Sequence, residues 1–446
     1  MGGVAATGSM RTMGLVSAVL LVGALGAAVR GQVSPGQVRE PFPGTLDDHP
    51  VIGYAGTVVH DRVARLNDAL ADGRVVLASQ GPTGVLPSLL AALDVPAASQ
   101  LLVFSKTALQ SQFTGPITPR ALYYNDSVVV GYIASSPVIE VAALDPRQGV
   151  QFYTLEPPPS GQPWRFARTP ACLNCHLAQS TLDIPGFIVR SHQVDREGRP
   201  LLALGVTQVD MRTPHPQRWG GWFVTGEATA PAYGPLGHLG NLVHLRRPDE
   251  GPSILADAPF RAWLSQAPET RRYLSAQSDI SALLTFDHQM PGLNLITRLQ
   301  WEARVATYEG RALETDPGIL ARREALTDYL LGVGEAPFDF AVSPRADFAS
   351  ALIQRFPRDG QGRSLAELDL TQRLLKYGVS FLVYTEAFAA LPREVRLPVM
   401  AHIMAVLDGR VTAPKYAHLR PADRLAARII LRDTHPDVRG AWAEHP

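Results

Sequence analysis

The chain has 446 residues, with 41 basic against 41 acidic side chains and only 18% charged residues. That balance makes no case for nucleic acid or an anionic surface as a partner. The length allows two or three domains at about 100–200 residues each, and 37 prolines with 38 glycines point to many turns rather than a simple bundle.

The first segment reads as an export signal. Arg11 is the only charge ahead of the apolar run at residues 13–29, which is closed by Gly26, Ala27, Ala28 and Gly31. A basic start, an apolar centre and small residues at the end predict a signal peptide over 1–31 and a periplasmic protein. The run is slightly short of the roughly 20 residues of a membrane span. The competing reading is an uncleaved anchor, which would give peripheral membrane association.

Residues 43–255 are expected to form a mixed region. Residues 58–71 carry Val63, Leu66 and Leu70 at helical spacing, and a second helix is expected over 86–93. Four strand-like runs follow, at 101–104, 121–124, 128–133 and 138–142. Asn125-Asp126 and Ser135-Ser136-Pro137 lie between them as turns, which predicts an antiparallel meander.

The densest signal is Cys172-Leu173-Asn174-Cys175-His176. It has the form C-x-x-C-H, the attachment sequence of a c-type haem. Two thiols on one turn of chain can form thioethers with the two vinyl groups of one porphyrin, and the adjacent imidazole supplies an axial ligand. The expected cofactor is therefore one covalent haem c on Cys172 and Cys175, with His176 on the iron. The alternatives are a thioredoxin-like redox pair, which would need a strand before and a helix after it, and a zinc site completed by distant histidines. The proline-rich stretch 157–163 speaks against the first. The chain has two cysteines in all, so no disulfide forms elsewhere.

After the motif, 187–194 and 201–209 flank Asp195-Arg196-Glu197-Gly198 as a hairpin would. In Arg218-Trp219-Gly220-Gly221-Trp222 the paired glycines suit either close approach of a flat ring to the backbone or a bulge in ordinary sheet packing. Residues 256–446 are expected to be helical. Leu274, Ile280, Leu283, Leu284 and His288 mark one helix face, which Pro291 must kink or end, before a further helix over 293–308. Ser364-Leu365-Ala366-Glu367 has the form of a capping box opening a helix to Lys376. Three more helices are expected over 382–391, 395–407 and 422–431. The fold class is α+β, a mainly antiparallel sheet region carrying the haem motif with a helical C-terminal region packed around it.

The sixth ligand of the iron decides the chemistry, because imidazole or thioether gives an electron-transfer centre and an open position allows catalysis or sensing. Downstream methionines are Met211, Met290, Met400 and Met404, and the nearer histidines are His192, His215, His238, His244 and His288. His288 is the first choice, because Pro291 breaks the helix where two strong ligands occur. Met290 and His238, the latter in the loop Gly237-His238-Leu239-Gly240-Asn241, come behind it.

The blocks CLNCH, RWGGWFVTGE, GHLGN, FDHQMPGLNLITR and RSLAELDLTQRLLKYGVSFLVYTEAF together resemble a group of exported bacterial proteins described only as cytochrome c domain-containing. The resemblance runs from about Pro119 onward. It implies a haem c protein and brings no activity with it. The chain differs from small mitochondrial-type cytochromes c, which carry the motif near their start and a methionine ligand later in a short helical fold. Three function classes follow: an electron carrier with an unidentified redox partner protein; a peroxidase- or oxygenase-like enzyme whose open distal site is lined by Arg218 or His238; and a PAS-like haem sensor. The carrier leads by analogy with the general use of such haems.

Overall fold

The computed structural model describes Gly2 and residues 44–228 and 272–444, apart from 196, 339 and 340. The remainder of the expected signal, the loop holding His238 and the expected boundary at 255/256 lie outside the described residues. Contacts divide the chain into two units, Met1–Gln37 and Val38–Pro446, and everything below concerns the second.

Its centre is a six-stranded antiparallel sheet in sequential order. The strands are β1 (Leu101–Val103), β2 (Arg120–Tyr124), β3 (Val128–Ile133), β4 (Ile139–Asp145), β5 (Gly149–Leu155) and β6 (Phe166–Arg168). The first four match the expected meander, and two more extend it. Two of the turns have a local cause. Asn125 accepts from the amides of Ser127 and Val128 through Oδ1 at 2.9 and 2.8 Å, and Asp145 does the same for Arg147 and Gln148 at 2.8 Å each.

Strand alternation sends side chains to two different cores. Leu102, Tyr123, Val130, Val141 and Tyr153 pack on one face with residues of α1 (Arg62–Ala71) and α2 (Leu86–Ala92). Val63, Leu66 and Leu70 of α1 are buried there, as their spacing predicts. Asp61 caps α1 through the amides of Val63 and Ala64 and accepts from the Tyr153 hydroxyl at 2.6 Å, which ties the helix to the sheet. Leu101, Val103, Leu122, Tyr124, Val129 and Phe152 point the other way and share a second core with the C-terminal helices.

Between sheet and helices lie α3 (Leu173–His176) and a hairpin of β7 (Arg190–His192) and β8 (Val206–Gln208). The hairpin falls where the sequence places it, with shorter strands. A small pair, β9 (Glu227–Ala228) and β10 (Val342–Ser343), joins distant parts of the chain. The helices are α4 (Ile280–Tyr308), α5 (Pro317–Leu330), α6 (Ala346–Gln354), α7 (Glu386–Ala389), α8 (Arg393–Leu407), α9 (Pro421–Thr434) and α10 (Pro436–Glu444). Among the described residues no helix is long and apolar enough to cross a membrane.

The helix expected over 382–391 is instead a 3-10 turn, Phe381–Tyr384, followed by the short α7, and two further expectations fail. The two helices expected on either side of Pro291 are one, because α4 continues through it. The helix is buried around most of its circumference, so tertiary packing holds what the missing N–H weakens. The Tyr329 hydroxyl donates to the His288 carbonyl at 2.7 Å, one residue beyond the carbonyl that the proline leaves without its helical donor. The second failure is at Ser364. Its amide does donate to the Glu367 carboxylate at 2.9 Å, as half of a capping box, but no helix follows. Leu368 and Leu375 pair across a tight reversal with Leu370 left-handed at φ 57°, and Val342 N–H donates to the Leu370 carbonyl. Sheet-like pairing has overridden a local helix signal.

Candidate functional site

The C-x-x-C-H segment enters from β6 through a 3-10 turn, Pro170–Cys172, and forms the single helical turn α3. A strand therefore does precede the motif, contrary to the sequence reading, but the helix ends at His176. The chain then folds back on itself. Leu182 and Asp183 both take left-handed backbone, φ 61° and 55°, a conformation that non-glycine residues adopt at a cost of about 1–2 kcal/mol each. The reversal brings Gly186 beneath His176, where the Gly186 amide donates to the His176 carbonyl at 3.0 Å.

His176 Nδ1 lies 2.9 Å from the Gly186 carbonyl oxygen. A carbonyl only accepts, so Nδ1 carries the proton and Nε2 keeps a lone pair. Burial pushes the imidazole pKa down to about 4, with the Gly186 bond opposing the shift. The ring is neutral near pH 7, which is the protonation state of a metal ligand. The Phe152 ring lies 4.6 Å away, centroid to centroid.

Gly186 is itself held in place. A Cβ there would meet Asn294 Oδ1 at 2.7 Å and Thr181 Cβ at 3.1 Å. Asn294, on α4, accepts from the Phe187 amide at 2.9 Å and donates to the Phe187 carbonyl at 2.8 Å. The helical region thus fixes the loop that orients His176.

Cys172, Cys175 and His176 all line one cavity of about 240 Å³. The sheet supplies Val103, Arg120, Leu122 and Glu140, whereas Ile188, Arg190 and His192 come from the chain running through β7. Between Leu122 and Glu140 in the sheet sits Gly131 of β3. A Cβ on it would have only ordinary contacts of 3.6–3.7 Å, so the row is bare at that point. Arg120 is paired with Glu140 at 3.1 Å, and Gln110 donates to the same carboxylate at 3.0 Å. Arg190 donates to Ser180 Oγ at 2.9 Å.

Burial, followed by the nearby Glu140 charge, pushes the Cys172 thiol up to about 11. Reactive C-x-x-C cysteines are shifted the other way, toward the thiolate. Among the described residues no group of three or more His, Cys, Asp or Glu side chains is placed to hold a bare metal ion.

The structure brings together the three motif residues and leaves His288, Met290 and Arg218 elsewhere, whereas His238 lies outside the described residues. His288 is 2% exposed inside α4, with Nε2 2.7 Å from Ser380 Oγ, Nδ1 3.2 Å from Met211 Sδ and its ring stacked on Tyr329. Met290 is fully buried in the same core. Neither lines the cavity. Arg218 is also spoken for. It donates to the Thr213 and Met211 carbonyls at 2.7 and 2.8 Å and pairs with Asp287 at 3.4 Å. Gly221, φ 83°, serves the protein's own packing, since its carbonyl accepts from the amides of Phe104 and Ser105. A Cβ there would strike Ser105 Cβ at 2.6 Å.

Sequence reasoning counted His192 among several histidines without singling it out. A signal was present in the two-residue spacing of Ile188, Arg190 and His192, which puts all three on one face of an extended chain. Arg120 and Glu140 carried no such signal, because they are 20 residues apart and meet only through strand pairing. No family model, no curated protein and no solved structure matches this chain.

Proposed function

We propose that the chain is an exported c-type cytochrome that carries one covalent haem and transfers single electrons to or from a partner protein. The observation that carries this reading is the convergence of Cys172, Cys175 and a neutral His176 with a free Nε2 lone pair on one cavity. Each thiol would add across a vinyl group, a step that needs no oxidant, and His176 would bind the iron. The bound haem would supply a one-electron iron couple. The residues present fit such a group. The lining is apolar at Val103, Leu122, Ile188 and Trp222, Arg190 offers a guanidinium group suited to a carboxylate, and Gly131 leaves the sheet bare between its neighbours. The Nδ1–H bond to the Gly186 carbonyl is the outer contact by which proteins fix the orientation of a ligating histidine.

The resemblance to exported cytochrome c domain-containing proteins and the signal-like segment at 1–31 belong to the same reading, since either would put the thiols in the periplasm. A haem sensor is the second reading, and the position of the cavity against an antiparallel sheet favours it. Protein produced with c-type haem maturation separates the two. A carrier gives a single reversible one-electron wave and ignores carbon monoxide when reduced. A reduced protein that binds carbon monoxide at once supports the sensor or enzyme, and a colourless product overturns the haem reading altogether.

A further inference from the structure

We propose that His192 is the second axial ligand, giving a six-coordinate, bis-imidazole iron; this rests on the haem reading above. Iron in an electron-transfer haem takes imidazole or thioether in its sixth position. Among the described residues lining the cavity there is no methionine, and His192 is the single histidine besides His176. His192 is 5% exposed.

Its position is also rigid, as a ligand requires. His192 pairs with Val206 across the hairpin, and its amide donates to the Gly220 carbonyl at 3.0 Å. The adjacent Ser191 points the opposite way and accepts from the Gly220 amide at 2.8 Å. Trp222 Nε1 donates to the Arg190 carbonyl at 2.9 Å. These bonds pin β7 on both sides of the register that presents Arg190 and His192 to the cavity. They also give the RWGGWF block a structural role, which is to hold the strand that carries the second imidazole.

The test uses full-length wild type with His192→Ala, His192→Met and His288→Ala, all produced with c-type haem maturation. Haem staining on a denaturing gel comes first, because an unstained wild type defeats the haem reading itself rather than the ligand assignment. With stained protein, the expected wild type is low-spin and blind to carbon monoxide. His192→Ala should become high-spin, bind carbon monoxide and return to low-spin with added imidazole. His192→Met should stay low-spin with a raised potential, and His288→Ala should keep the wild-type spectrum. The assignment is overturned by a high-spin wild type, by stained His192→Ala with the wild-type spectrum, or by loss of the low-spin state in His288→Ala. If His192→Ala yields no folded protein, the near-infrared charge-transfer band of oxidised wild type decides, since its position separates bis-imidazole from imidazole–thioether ligation.

Discussion

Asn294 grips the backbone of Phe187 from both sides, accepting from its amide at 2.9 Å and donating to its carbonyl at 2.8 Å. The residue before Phe187 is Gly186, whose carbonyl sets the tautomer of His176. One side chain of the C-terminal region therefore governs how the motif imidazole is presented. Asn294→Ala strands two buried backbone groups, each a loss of about 1–3 kcal/mol. The denaturation midpoint should fall and the Soret band of the loaded protein should shift. An unchanged midpoint would show that the Phe187 backbone needs no such clamp.

Arg218 and Asp287 form a buried pair outside the lining of the cavity, with Trp219 Nε1 also donating to Asp287 at 3.0 Å. Asp287→Ala leaves the guanidinium buried without its counter-charge, a change that typically destabilises by about 3–5 kcal/mol. The visible spectrum of the folded fraction should not move. A new spectrum or new peroxide reactivity in this variant would return Arg218 to the distal-site role that the sequence suggested.

Gly221→Ala should destabilise by more than about 1 kcal/mol, because the added Cβ meets Ser105 while the backbone stays left-handed. Removing the neighbouring side chain with Ser105→Gly should restore only part of that loss, since the strain at φ 83° remains. Full rescue in a double-mutant cycle would assign the whole effect to the clash.

Three histidines, the buried His215 and His288 and the half-buried His176, predict acid sensitivity in the haem-free chain. Burial pushes His176 and His288 down to about 4 and His215 to about 3. Their unfolded forms take up protons at a higher pH than the folded forms, so their contribution is complete above about pH 6.5 and is lost as pH falls toward 4. Burial pushes Asp287 and Glu335 up to about 7, and these act in the opposite sense, favouring the fold at low pH and losing that effect as pH rises through 7. His288→Gln should therefore flatten the acid limb of the stability curve by up to about 1.4 kcal/mol per pH unit. Denaturant melts between pH 4 and 6.5 measure it, and an unaltered slope would mean that His288 titrates alike in both states.

Much of the fold is legible where the cause is local. The Val63, Leu66 and Leu70 spacing, the Asn125 turn and the alternation through β2–β4 all carry their structure in a few consecutive residues. Ser364 and Pro291 mislead because distant partners decide them, namely the Leu368–Leu375 pairing and the burial of α4. The motif triad is legible because its members are adjacent in sequence. The choice between His192 and His288 is not, since it depends on which strand crosses the cavity and on how α4 is rotated in the core.

The central claim is covalent haem on Cys172 and Cys175, and haem staining of a denaturing gel tests it most directly. The wild-type chain should stain, should carry the mass of one haem and should keep its colour through acid–acetone extraction. The double Cys172→Ala, Cys175→Ala chain should do none of these. A wild type stripped of all colour by acid–acetone, or a double variant that still stains, would contradict the account.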